Sequence, residues 1–150
     1  MRQVTPQHNP RRGTALVEFA FVAVVLMLVL FGIFEYARFV MMLQVGENAA
    51  REGARMAVAR TGDGTTKQDI IDEVTRRLAS VTDLSGFTVD VVHVDPDTGT
   101  TKSTDWTTAA FGEAIEVRIT GSYKPLLPTF LLTSSSISVK ISSMMTSEAN

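Results

Sequence analysis

The chain has 150 residues, enough for one ordinary domain and an anchor but not for two full domains. Its formal net charge of −2 supplies no field that would draw it to nucleic acid or to another acidic surface. Cysteine is absent, which excludes disulfide frameworks and thiolate metal sites without identifying the compartment.

Residues 1–13 read as a basic leader carrying Arg2, Arg11 and Arg12. Residues 14–34 follow with a single ionisable side chain, Glu18, and residues 19–34 contain no charge at all. At 1.5 Å per residue this stretch spans roughly 30 Å, the thickness of a bilayer's hydrocarbon core. A soluble core helix would turn a polar face outward every three or four residues, and this segment shows none over four turns. Its β-branched residues do not oppose a helix, because lipid offers backbone groups no other partner. A transmembrane helix is therefore expected. A secretory signal peptide shares the charged start, but Leu30-Phe-Gly-Ile-Phe-Glu-Tyr-Ala-Arg38 lacks a small-x-small cleavage site. Charge counting does not orient the span, since Arg38, Arg51, Arg55 and Arg60 follow it. The short unpaired basic leader favours a cytoplasmic N-terminus.

Beyond the span, residues 35–60 lack a helix breaker and are expected to continue as a stalk helix. Glu47 with Arg51, and Glu52 with Arg55, have the spacing of weak helical ion pairs, with both arginines on a solvated face. Ala49, Gly53 and Ala57 repeat every four residues as a helix-packing ridge of small side chains, fit for close backbone approach. Either the protein's own sheet or a partner helix could fill it. Thr61-Gly-Asp-Gly-Thr65 is expected to end the helix.

Residues 61–150 read as an α+β extracytoplasmic domain. Thr66 can cap a second helix, with Asp69 in its first turn and Ile70, Ile71, Val74 and Leu78 on one apolar face. Three alternating segments follow, each with one apolar face: Phe87, Val89 and Val91; Ile115, Val117 and Ile119; then Ile137, Val139 and Ile141. Asp95-Pro-Asp-Thr-Gly99 reads as a turn, and Lys124-Pro-Leu-Leu-Pro128 interrupts regular structure. One helix packed on a three-stranded antiparallel sheet is expected, with the stalk helix able to share the covering.

Little here resembles an active site. His8 and His93 are isolated, and His93 reads as structural or exposed. Asp95 and Asp97 echo the start of a calcium loop whose later ligands are missing. Trp106 lies in a polar stretch, as a packing anchor or a contact residue. No phosphate-cradling loop, metal-ligand spacing or nucleophile–base pair appears, so neither a cofactor nor a metal is expected, and a membrane-tethered hydrolase is disfavoured.

The most informative stretch is Arg11-Arg12-Gly13-Thr14-Ala15-Leu16-Val17-Glu18-Phe19. It resembles the processing site of type IV prepilins, particularly the Flp subclass, cut after the glycine by a prepilin peptidase. Val17-Glu-Phe-Ala20, Leu30-Phe-Gly-Ile-Phe-Glu-Tyr-Ala-Arg38 and Asn48-Ala-Ala-Arg-Glu-Gly-Ala-Arg55 are similar to the TadE family of pseudopilins from tight-adherence pilus systems. Relatives often carry proline within the span, where this chain has Val24. The resemblance implies cleavage between Gly13 and Thr14. The residues themselves place Thr14 and Glu18 four apart, so a new α-ammonium at Thr14 and the Glu18 carboxylate share one helix face. Pairing, within or between subunits, would neutralise an intramembrane charge and set subunit registration. Gly13 and Thr14 also admit a plain reading as a flexible residue and a helix N-cap, and Glu18 one as a headgroup-level charge.

The resemblance implies a minor pilin-like subunit of a bacterial inner-membrane apparatus, with its C-terminal domain periplasmic. Expected partners are membrane lipid, a prepilin peptidase, a Flp-type major pilin, other pseudopilins and a membrane platform with its secretion ATPase, and no nucleic acid. The alternative is a single-pass anchored binding or sensor module that is never processed.

Overall fold

The computed structural model describes residues 11–59, 64–81, 83–126 and 135–147, with side chains from residue 13 onward. Expectations placed on Arg2, His8, Arg60, residues 61–63 and residues 127–128 lie outside the described residues.

One helix, α1 (Arg11–Ala59), runs unbroken from the leader through the apolar segment and on across the domain. Its second half is amphipathic. Met42, Gly46, Ala49, Ala50, Gly53, Ala54 and Ala57 form a buried stripe of mostly small residues, while Gln44, Glu47, Asn48, Arg51 and Arg55 face water. Helix α2 (Lys67–Leu78) begins with a reciprocal capping box: Asp69 N–H donates to Thr66 Oγ1 at 3.3 Å, and Thr66 N–H to Asp69 Oδ2 at 2.8 Å. It buries Ile70, Val74 and Leu78 on the face anticipated by their spacing.

Four strands, not three, make the sheet: β1 (Leu84–Val94), β2 (Thr101–Ser103), β3 (Ala114–Tyr123) and β4 (Ile137–Thr146), in the order β2-β1-β3-β4 and antiparallel throughout. The additional strand is Thr-Lys-Ser, three residues with no apolar alternation, paired to β1 at an edge across a register shift between His93 and Val94. Its hydrogen bonds are backbone ones, so side-chain pattern could not announce it. The helical layer is likewise double. The second half of α1 lies across β3 and β4, and α2 lies beside it. Ala49, Ala50, Ala54, Ala57, Ile70, Val74, Val89, Val91, Val117, Ile119 and Ile141 close one core between helices and sheet. The other sheet face is polar in its middle, with Thr88 hydrogen-bonded to Thr120 at 2.7 Å and Asp90 paired in register with Arg118, and closes a small second cluster of Val92, Val94 and Ala114.

The small-residue ridge is filled from within the chain. A Cβ placed on Gly53 would lie 2.6 Å from Val74 Cγ2 and 3.4 Å from Val117 Cγ1, so α1 approaches α2 and β3 as closely as glycine permits. Ala49 and Ala57 are fully buried, which leaves no ridge for a partner helix. Glu52 and Arg55 pair on the solvent face, with Nε donating to Oε2 at 3.0 Å, and Arg77 of α2 reaches Glu52 at 3.5 Å. Glu47 and Arg51 are both exposed and do not pair.

Candidate membrane anchor and junction

The first half of α1 is exposed around its whole circumference. Leu16, Val17, Phe19, Phe21, Ile33 and Phe34 each keep 60% or more of their surface open. Covering one such side chain is worth about 1.5–3 kcal/mol, so a bare rod of this composition in water would be strongly unfavourable. A partner protein covers one stripe, whereas lipid covers all sides. The helix is long and apolar enough to cross a membrane, and none of the residues in its most apolar window is buried. This is consistent with a single-pass membrane anchor.

Two features stand out at the start of this rod. Gly13 lies inside the helix, which already runs at Arg11, so Thr14 is not an N-cap. A Cβ at Gly13 would meet nothing within 4 Å. Interior glycine weakens a helix by about 0.5–1 kcal/mol relative to alanine, and among the described residues no packing contact requires it. Glu18, one turn beyond Thr14, is exposed, and no described side chain pairs with it. A charge at the centre of a span costs about 2.5–3.5 kcal/mol on insertion scales, and the cost falls toward the ends, where Glu18 stands.

At the other end of the rod, Glu35 joins the helix to the sheet. Its carboxylate accepts from Tyr123 Oη at 2.5 Å, from the Leu126 N–H at 3.3 Å, and from Arg38 Nη1 at 3.3 Å. Arg38 in turn binds Asp83 at 2.5 Å, just before β1. The Tyr123 ring is fully buried and packs edge-on against Phe39, with centroids 5.1 Å apart. This junction was not foreseen from the sequence, since Glu35 and Tyr123 are 88 positions apart.

Burial, then the hydrogen bond to Glu35 and the charge of Glu35, hold the Tyr123 phenol well above its ordinary value of 10.0, and Arg38 opposes this only in part. A raised value in the folded state means that the associated stability is complete below pH 10 and is lost as pH climbs toward the folded value. In an alkaline titration followed by phenolate absorbance, one of the two tyrosines should therefore ionise late and together with unfolding. Tyr123→Phe should remove that late component. Ionisation of Tyr123 near pH 10 in a folded domain would contradict the junction.

The far end of the sheet holds the other polar cluster. His93 is buried, with Nδ1 3.2 Å from Thr108 Oγ1, and Nε2 lies 3.1 Å from Glu113 Oε2 but off the hydrogen-bond line. The Ala110 N–H and then Lys102 hold the Glu113 carboxyl below its usual range. Thr108 donates its hydroxyl hydrogen to the Asp105 carbonyl at 2.7 Å, so it closes a turn and is not poised as a nucleophile. Asp95 Oδ1 accepts from the N–H groups of Asp97 and Thr98 at 3.0 and 3.1 Å, which makes the Asp95–Thr98 segment a side-chain-closed turn. Among the described residues no three His, Asp or Glu side chains converge as a metal site. Trp106 is buried in the core as a packing anchor.

Residues 13–55 match the family of TadE-like proteins. The match begins at Gly13, takes in Glu18, Glu35, Arg38 and Gly53, and stops before α2; the sheet lies outside it. No curated protein and no solved structure matches the chain.

Proposed function

We propose that the chain is a minor pilin-like subunit, a pseudopilin, acting structurally in the assembly of a tight-adherence type IV pilus or a related secretion apparatus. The observation that carries this reading is the TadE-like match over a rod with one unpaired carboxylate, Glu18, and one glycine without a packing role, Gly13. Gly53 is demanded by its close contacts with Val74 and Val117, whereas a Cβ at Gly13 would meet no described atom within 4 Å. A peptidase that must thread the backbone through its site supplies the missing reason, because a residue without Cβ both loosens the helix and fits a tight cleft.

In this reading the leader lies in the cytoplasm, α1 crosses the bacterial inner membrane, and the sheet domain stands in the periplasm. A prepilin peptidase cuts after Gly13 and creates an ammonium at Thr14. That charge and the Glu18 carboxylate lie one turn apart on a shared face, so each removes the cost of the other in lipid and pins the axial register of neighbouring rods. The protein acts mechanically, with no chemical step of its own, by packing beside Flp-type pilins and other pseudopilins on an ATPase-driven membrane platform. The sheet domain is the surface those partners meet.

Glu18→Ala tests the reading. Cleavage should persist, while the fraction of the protein recovered with assembled pili or with its pseudopilin partners falls at least tenfold, the equivalent of about 1.4 kcal/mol per contact. Undiminished assembly would refute the role given to the carboxylate.

A further inference from the structure

We propose that the sheet domain rests one end on the lipid surface itself, with Leu126 and Ile137 seated in the membrane interface beside Tyr36. The inference depends on α1 being a membrane anchor and adds a second, separate lipid contact.

Depth fixes the argument. If residues 14–34 fill the hydrocarbon core, Glu35 stands at its outer rim. Tyr123 Oη and the Leu126 N–H both bind the Glu35 carboxylate, at 2.5 and 3.3 Å. The end of β3 is therefore held at the level of residue 35 and cannot rise clear of the bilayer. Leu126 is 67% exposed at that level, Tyr36 70% and Ile137 37%. Between them runs an open groove of about 330 Å³ lined by Gly32, Glu35, Tyr36, Phe39, Tyr123, Pro125 and Ile137. The Glu35 carboxylate is already bonded within the junction, so the groove offers an apolar wall continuous with the exposed rod below it. An acyl chain of the outer leaflet side fits that chemistry.

The headgroup level has its own signature. Tyr36 is an amphipathic ring at the end of an apolar span, the usual place for such residues. Lys124 is exposed, has no described ion-pair partner, and can extend its ammonium toward lipid phosphates while its stem covers apolar surface. Arg38, by contrast, is spent on Glu35 and Asp83.

Because the chain has no cysteine, single-site labelling is clean. Full-length Leu126→Cys, Val25→Cys and Thr98→Cys variants would carry a nitroxide in nanodiscs of mixed zwitterionic and anionic phospholipid. Collision with oxygen and with a water-soluble nickel chelate is then measured at each site. Thr98 lies in the turn at the opposite end of β1 from Leu84 and serves as the aqueous reference. The expected result is an oxygen-to-nickel accessibility ratio at position 126 several-fold above that at 98, approaching that at 25. A label at 126 as open to nickel as that at 98 overturns the proposal, and so does one shielded from both reagents, which would mean a protein partner covers the groove. If the label at 25 is itself open to nickel, the anchor fails and this inference fails with it.

Discussion

Replacing Gly53 by leucine should strongly destabilise the sheet domain and leave the apolar half of α1 intact. A Cβ alone would come within 2.6 Å of Val74 Cγ2, and Ile70 Cγ2 and Val117 Cγ1 close the space behind it at 3.6 and 3.4 Å. Val74 cannot swing aside easily, because a β-branched side chain in a helix is confined to essentially one rotamer. It is also fully buried between α1 and the sheet. Overpacking of this kind costs about 1–3 kcal/mol for small additions, and a whole isobutyl group lies at or beyond the upper end. Domains of this size have about 5–15 kcal/mol in total. Trp106, the only tryptophan and a buried one, reports the result by its fluorescence on heating. Gly46→Ala is the control. There the nearest atom is Ile141 Cδ1, the free end of a side chain that can rotate, and alanine returns up to about 1 kcal/mol of helix propensity. Its stability should stay within about 1 kcal/mol of the parent, while a Gly53→Leu variant as stable as the parent would show that α1 does not pack as described.

Glu35→Ala should detach the domain from the rim of the rod. The substitution leaves the Tyr123 hydroxyl, the Leu126 N–H and one arm of Arg38 without their acceptor. Hydrogen bonds to a charged group contribute about 1.5–3 kcal/mol each, with the larger losses where the abandoned donor is buried. Tyr123 is buried and Leu126 is not, so a loss of about 2–4 kcal/mol is expected, carried mainly by the tyrosine. Glu35→Gln keeps an acceptor for Tyr123 and gives up only the pairing with Arg38, which still holds Asp83. It should cost about 1 kcal/mol or less, as partly exposed ion pairs do. Thermal unfolding of the detergent-solubilised chain separates the two. Equal effects would mean that the charge, not the tyrosine contact, holds the junction.

The parts of the molecule legible in the sequence are those governed by local period. The apolar run of residues 14–34, the Thr66–Asp69 cap and the alternation of Val89, Val91, Val117, Ile119, Val139 and Ile141 each state their own environment. Three short backbone-paired residues at a sheet edge carry no such period, so β2 was silent. Small residues at four-residue spacing announced a close approach at Gly53 without saying to what, because period describes a helix's face and not its partner. The Glu35–Tyr123 junction is the clearest omission, since its two halves meet only through the fold. A signal was present nonetheless: a carboxylate at the very end of an apolar span must find a donor or the water's edge, and Tyr123 ends its strand just before Lys124-Pro125. Ile137, placed by alternation with the buried residues of its strand, is 37% exposed because it lines the open groove between α1 and the end of the sheet beside Tyr123.

N-terminal sequencing of the membrane-extracted protein, made in cells with and without the cognate prepilin peptidase, addresses the functional reading most directly. A chain beginning at Thr14 in the first case and retaining its leader in the second is the predicted outcome. An intact leader in peptidase-containing cells would contradict it and leave an unprocessed anchored module in its place.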